Sequence, residues 1–283
     1  MNGLLIIDKP QDFTSFDVVA VVRHLSRQRK LGHTGTLDPL ATGVLPLLLG
    51  IATRAQSLAP DTDKEYEAGF QLGLTTDTQD ITGTIRGKRP VSVTRAELEA
   101  AAERFQGDIL QVPPMYSAVQ KNGVRLYDLA RQGIEVEREA RPVTVHRLEV
   151  LAYDERAGMG TLRVRCSKGT YIRTLCHDIG ETLGCGGVMV SLRRTAACGF
   201  RLSDCVTLSE ARALAEAGRL PELVKPVDGL FACYPAVTVS PAQAKRFANG
   251  GALDLIRTSV SRKSEEGARV RVYAPGKPFL GLG

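Results

Sequence analysis

A carboxylate set between loop glycines and a proline is the residue of this sequence with the most chemical promise. Asp38 lies in Gly32-His-Thr-Gly-Thr-Leu-Asp-Pro39, a string that follows neither the helical nor the strand period and therefore reads as a loop. Pro39 pushes the Asp38 backbone into an extended conformation, and the glycines let a ligand approach the main chain. A carboxylate held this way can attack a sugar or base carbon, as in glycosidases that form a covalent glycosyl intermediate. An aspartate in a glycine loop is far more often a turn-former, so the residue alone leaves both readings open. A retaining glycosidase also needs a second carboxylate about 5 Å away, and the sequence nominates none.

Other chemistries lack their residues. The sequence contains no G-x-x-x-x-G-K-[ST], no G-x-G-x-x-G in a βαβ context, no H-E-x-x-H and no G-x-S-x-G. Its four histidines are well separated, and its six cysteines (166, 176, 185, 198, 205 and 233) form no C-x-x-C pair. The cysteines are expected as small buried hydrophobes, and no metal site is expected. Cys176 and His177 are adjacent, but sequence neighbours rarely aim at one atom.

The elements that must position Asp38 follow from periodicity. Thr14-Ser15 followed by Phe16, Val18, Val19, Val22 and Leu25 predicts an N-capped amphipathic helix ending in the basic run Arg27-Gln-Arg-Lys30. Residues 43–49 fit a buried strand, broken or bounded at Pro46. From 64 to 72 the chain alternates, with Tyr66, Ala68, Phe70 and Leu72 on one face. Thr94 with Glu97 is a capping box for a helix that Gly107 is expected to close. Residues 112–142 read as irregular, with a turn at Asn122-Gly123 and a short helix near 124–132. Strands are expected at 143–152, 160–167 and 188–192, helices from 170 and near 208–217, a last helix capped by Ser240 and a last strand at 268–273. The mixture lacks a regular βαβ alternation, so the fold class is α+β.

Length and composition fit one sizeable domain plus a small one: 283 residues, 43% hydrophobic, 24% charged. The longest apolar run, GVLPLLLG, is short and holds a proline, which argues against a membrane span. The start, MNGLLIIDKP, lacks the features of a signal peptide, so a cytoplasmic location is expected. Of the net charge of +6, residues 163–201 carry +5 and 241–283 carry +5, which leaves −4 on the rest. Two basic stretches suggest a long polyanion touching both ends of the protein, and solvated element faces explain them equally well.

The wider string around Asp38 decides its reading. Lys30-Leu-Gly-His-Thr-Gly-Thr-Leu-Asp-Pro-Leu-Ala-Thr-Gly-Val44 closely resembles the catalytic loop of the bacterial tRNA pseudouridine-55 synthases. Four further blocks resemble that family in the same order. They are Asp8-Lys-Pro10 with Thr14-Ser15; Lys64-x-Tyr66 running to Leu72-Gly-x-x-Thr-x-Asp-Thr-x-Asp80; Pro113-Pro-Met-Tyr-Ser-Ala118 with Arg125-Leu-Tyr127; and Cys166-Ser-Lys-Gly-Thr-Tyr-Ile-Arg-Thr-Leu175 with Leu192-Arg-Arg-Thr195. Two positions depart from the pattern. Asp12 stands where glycine is usual, though aspartate tolerates left-handed backbone, and Gln120 stands where lysine is usual, with Lys121 beside it.

The resemblance implies the pseudouridine-synthase fold, a mixed and largely antiparallel central sheet flanked by helices. It implies a catalytic domain over 1–228, with 112–142 an insertion that grips the T-arm of tRNA, and a short PUA-like RNA-binding domain over 229–283. It makes Asp38 the nucleophile in an isomerisation that needs no redox cofactor, metal or ATP. Tyr66 would stack on the flipped uracil and help remove the C5 proton, although its apolar strand face equally suits a core tyrosine. Arg173 would pair with Asp38 in a closed pocket; near a helix start a cation needs some partner in any case. Tyr171 and Leu192 would line the base pocket, or simply pack. His33 would occupy space left when bases leave the stack, and Lys9 would support the catalytic loop or a phosphate. A monomer is expected. The competing reading is a tRNA-folding chaperone that binds the T-arm without needing its chemistry, which could also be a second role of the same chain.

Overall fold

The computed structural model describes residues 1–60, 63–254, 258 and 267–283. Strand β1 (Gly3–Lys9) leads to helix α1 (Ser15–Ser26), then β2 (Leu31–His33), β3 (Ala41–Leu49), β4 (Lys64–Leu72) and a small pair, β5 (Leu74–Thr76) and β6 (Ile85–Lys88). Helix α2 (Arg95–Glu103) and β7 (Gly107–Gln111) precede the hairpin β8 (Gln120–Lys121) and β9 (Val124–Arg125), which runs into α3 (Leu126–Arg131). Then come β10 (Arg141–Asp154), β11 (Met159–Cys166), α4 (Ile172–Thr182), β12 (Gly187–Ala197), β13 (Phe200–Arg201) and α5 (Leu208–Glu216). The chain closes with β14 (Ala236–Thr238), α6 (Pro241–Ala248), β15 (Arg271–Tyr273) and β16 (Phe279–Leu282).

Among the described residues, nine strands form one sheet in the order β1-β3-β12-β4-β11-β10-β7, with β2 on β3 and β13 on β12. Only the β3–β12 pairing in it is parallel, so the sheet is mixed and largely antiparallel, as the resemblance implies. One face of β4, with Tyr66, Ala68, Phe70 and Leu72, packs with Leu98 of α2 and Leu175 and Ile179 of α4. At the other end of the sheet, Leu5, Ile7, Leu45, Leu47 and Leu49 bury Val18, Val19 and Val22 of α1. A separate sheet, β14-β15-β16, has its own core of Val237, Val239, Val270 and Val272, while Phe231 and Phe279 stack and pack on the main body. Among the described residues no helix is long and apolar enough to cross a membrane.

Capping explains where the helices start. Thr14, Thr94 and Thr207 each accept from the backbone three residues on, where Asp17, Glu97 and Glu210 answer by accepting from the threonine N–H. Asp12 takes φ 65°, the left-handed conformation that glycine would otherwise supply. Asn122 and Gly123, both at positive φ, turn the β8–β9 hairpin.

Several expectations shift. Helix α2 ends at Glu103, and Gly107 opens β7 instead of closing the helix. Residues 31–33 form a strand rather than loop, paired on β3. Strand β3 runs straight through Pro46, because its carbonyl accepts from Thr34 on the β2 side, away from β1, so the missing N–H costs no β1 bond. Strand β12 continues past Leu192 through both arginines, held by pairing with β4. The strand at 271–273 is followed by β16. Cys166, Cys176 and Cys185 are buried as expected, but Cys198 and Cys205 are half-buried and Cys233 is exposed.

Gly43 sits at φ 101° where β3 meets β12, and a Cβ there would collide with the Arg194 carbonyl. Strain of about 1–3 kcal/mol adds to that collision. Gly43→Ala is therefore expected to lower stability by at least about 2 kcal/mol, read as a shifted urea midpoint.

Candidate active site

The loop carrying Asp38 is fastened almost residue by residue. Thr34 N–H donates to Pro46 O at 3.1 Å, and the Gly35 carbonyl accepts from Arg194 Nη2 at 2.8 Å. Ser15, in the first turn of α1, holds Leu37 twice, accepting from its N–H at 2.9 Å and donating to its carbonyl at 3.2 Å. The Asp38 carbonyl accepts from Ala41 N–H, and the Pro39 carbonyl from both Asp12 N–H and Lys9 Nζ. Gly35 is at φ 66°, and a Cβ there would press on the Arg194 guanidinium.

Asp38 is delivered to Arg173, whose Nη2 lies 3.2 Å from its carboxylate. The arginine is in the first turn of α4, where its charge opposes the helix dipole, and it is compensated on every side. Its Nη1 lies 3.5 Å from Asp80, and it donates to the Tyr116 carbonyl at 2.7 Å. Asp80 is buried and accepts from Thr78 Oγ1, Thr82 N–H and Thr82 Oγ1. The α4 start is fixed by Gln111, which accepts from Tyr171 N–H and donates to its carbonyl. The Arg173 side chain is 9% exposed and that of Asp38 49%, so the pocket is open at Asp38 rather than closed as expected.

Across the sheet, Tyr66 on β4 is opposite Arg194 on β12, and Leu192 is opposite Ala68 and Ala41 on the same face. Tyr66 is buried beside the Arg194 guanidinium; burial pushes its phenol pKa up and the arginine opposes this. Leu192 packs against the cluster that holds Leu37, Ala41 and Tyr66. Asp38, Arg173, Tyr66 and Leu192 thus converge. Tyr171 sits half-buried at the α4 N-cap, with its backbone rather than its ring accounted for by hydrogen bonds. His33 lies on β2, its ring 5.4 Å from that of Phe16, with Nδ1 buried and unpartnered. Burial and the charge of Arg194 hold its pKa below the usual value, which keeps the imidazole neutral.

Lys9 needs a correction. Of its two expected roles the geometry gives loop support: the residue is fully buried and Nζ donates to the carbonyls of Pro10, Phe13 and Pro39, which leaves nothing for a phosphate. The basic stretch 163–201 also looks different in three dimensions. Arg163 pairs with Glu67, Arg165 with Asp63, Arg173 with Asp38 and Asp80, and Arg193 with Asp8, while Arg194 is enclosed. Most of its charge is therefore paired with carboxylates or buried, the Arg163, Arg165 and Arg193 pairs lying at the surface. Of the basic stretch 241–283, residues 255–257 and 259–266 lie outside the described residues. Lys121 donates to the Glu137 carbonyl at 2.6 Å, within the segment 112–142. Sequence reasoning missed Asp80 and Arg194 as site residues. Both stood in quoted blocks, but nothing in their types or spacing separates a buried aspartate or arginine from a surface one. Burial drives the Cys176 thiol up to about 12, which removes any Cys176–His177 nucleophile.

Comparison with solved structures places the fold. The chain superposes with a TM-score of 0.77 and 27% identity on the crystal structure of a Cbf5-Nop10-Gar1 complex, over 99% of this chain and 77% of that one. The structure of an H/ACA RNP bound to a substrate RNA containing 2′-deoxyuridine gives 0.77 and 25%, with the same coverage. The fold is that of a pseudouridine synthase, an isomerase. Family models account for nearly the whole sequence: TruB family pseudouridylate synthase (N terminal domain) matches residues 23–172, tRNA pseudouridylate synthase B C-terminal domain 173–232, and Pseudouridine synthase II TruB, C-terminal, 235–283. The tRNA pseudouridine synthase B of Azoarcus sp. (strain BH72) is 47% identical over 100% of this chain and 91% of its own length. That of Haemophilus influenzae (strain 86-028NP) is 42% identical over the same shares. The chain belongs to the TruB family of pseudouridylate synthases.

Burial lowers the Lys9 pKa from 10.5 to about 8. Between about pH 8 and 10.5 the unfolded chain therefore binds more protons at this group, and stability gains from Lys9 as pH rises through that window. Lys9→Met is expected to abolish this rise, measured as urea unfolding free energies of both proteins from pH 7 to 10.

Proposed function

We propose that this chain isomerises one uridine in the T-arm loop of tRNA, position 55, to pseudouridine, acting as a monomer with Asp38 as nucleophile. The observation that carries the proposal is the Asp38–Arg173 pair, a half-exposed carboxylate held at 3.2 Å from a buried guanidinium in a fastened loop. Its basis on the substrate side is the family and the named tRNA enzymes to which the chain is similar along its length.

The reaction breaks N1–C1′, turns the uracil, joins C5 to C1′, and removes the C5 proton while N1 takes one up, so substrate and product are isomers and the attacking carboxylate is released. The uridine must first leave its stack, at a cost of roughly a few kcal/mol. Asp38 then attacks the flipped nucleotide as an ionised carboxylate, with Arg173 orienting it and Asp80 fixing Arg173 from the far side. Tyr66 and Leu192 hold the detached base on the sheet face. The Arg194 charge beside the Tyr66 phenol makes negative charge on that oxygen less costly as the C5 proton moves. Water exclusion falls to the RNA, since the Asp38 side is open in the free protein.

The insertion 112–142 supports T-arm gripping in its connections. Tyr116 at its base accepts from Arg173, so a pull on the insertion reaches the nucleophile's partner directly. Leu110, Val112, Val124 and Ile134 are exposed on or beside it, and RNA loops are recognised by shape and splayed bases.

The test is release of tritium from tRNA labelled at uridine C5. Asp38→Asn is expected to release none while still binding tRNA; release equal to wild type would remove Asp38 as nucleophile. Arg173→Lys keeps the charge but not the fork that reaches Asp38, Asp80 and the Tyr116 carbonyl together. It is expected to lower kcat by roughly 100-fold or more with a much smaller change in KM, read in single-turnover kinetics.

A further inference from the structure

Phe16 is out of place on its own helix. Helix α1 buries Val18, Val19 and Val22 and turns its other side to water, yet Phe16 in its first turn is 72% exposed. Nothing in the packing of α1 requires a phenyl ring there, because the ring covers no core. It does have one neighbour: its ring meets the neutral imidazole of His33 edge-on, at 5.4 Å between centroids and 84° between planes. The preceding residue, Ser15, is the one that holds Leu37, which directly precedes Asp38. The exposed ring is thus fixed to the mouth of the catalytic loop through one hydrogen-bonded pair.

We infer that Phe16, backed by His33, is a stacking platform for the nucleobase next to the target uridine, receiving it when the loop is opened for the reaction. The inference rests on the functional reading above, since it takes an RNA loop as the substrate. Extruding one base unstacks its neighbours, and proteins that handle single-stranded RNA compensate by stacking bases on exposed aromatic rings. An uncharged edge-to-face pair offers a base such a surface. The surrounding charge fits the same ligand. Arg23 lies seven residues along α1, on the face of Phe16, and Arg27, Arg29 and Lys30 follow at its end. All four are exposed, and among the described residues none forms an ion pair, in contrast to the arginines of 163–201. One aromatic ring among unpaired cations suits a nucleobase with its phosphates and is too small and too charged for a protein interface.

The test uses the full chain with a T-arm stem-loop RNA, and with two versions carrying 2-aminopurine on either side of the target uridine. Phe16→Leu keeps apolar bulk but loses the ring; it is expected to raise KM about tenfold with kcat held within about twofold, and Phe16→Trp to restore KM. Binding to Asp38→Asn protein should quench 2-aminopurine at one flanking position, and adding Phe16→Leu should relieve that quenching. Equal KM and equal quenching with and without the ring overturn the inference. So does a loss confined to kcat, which would make Phe16 a prop of the catalytic loop. Wild-type protein that leaves the stem-loop unmodified overturns the functional reading and this inference with it, so the two failures are told apart by the wild type alone.

Discussion

Two fully buried cations hold the Asp38 loop and the chain around it by carbonyl oxygens, and the rest of the site depends on them. Lys9 Nζ draws Pro10, Phe13 and Pro39 together, while Arg194 bonds Val44 on one side and Gly35 on the other. Taking a cation out of water costs several kcal/mol unless its donors are met, so Lys9 enforces the backbone geometry around its three carbonyls and Arg194 that of Val44 and Gly35, although its Nη1 stays buried without a hydrogen-bond partner. A loop that moved would strand a buried charge. This is why a segment with two glycines and no regular structure can still present Asp38 at one place.

The sheet supplies the second half of the arrangement. On β12 the side chains alternate, so Leu192 and Arg194 share the face of Tyr66 while Arg193 points to the opposite face and pairs with Asp8. The parallel meeting of β3 and β12 brings the end of the catalytic loop against Arg194, and Gly43 permits the close approach. Helix α4 then aims Arg173 at Asp38 from the far side, with its start clamped by Gln111. Three elements distant in sequence meet at one carboxylate, each fixed before substrate arrives.

Local pattern carried much of this into the sequence. The capping threonines, the alternation of β4 and the hairpin at Asn122-Gly123 are short-range signals, and the structure follows them. Arg173 was legible as a cation in need of a partner, because a helix start opposes positive charge. What the sequence hid was burial of charge. Arg194 and Lys9 read as surface residues by type, and only the tertiary packing of strands around them makes them interior. The same blindness made 163–201 look like a basic patch, when Glu67, Asp63 and Asp8 pair with three of its seven cations and Asp38 and Asp80 with a fourth. Element ends such as Glu103 and the run of β12 past Leu192 were also set by pairing partners rather than by local propensity.

Rigid loop and open carboxylate together assign a division of labour. The protein prepays the ordering of Asp38, Arg173 and Tyr66, so little conformational entropy is left to lose when the nucleotide enters. It does not enclose them, and the proposed reaction needs that opening, since in it a base swings in on its backbone and then turns about a broken glycosidic bond. Closure must therefore come from something that arrives with the substrate and leaves with it. The RNA loop of the proposed function meets that requirement, and the elements around the opening are the 112–142 segment tied to Arg173 through Tyr116 and the first turn of α1 tied to Leu37 through Ser15. In the proposed function, binding and chemistry join at those two hydrogen-bonded points, so the segments assigned to RNA act on the same residues that hold Asp38.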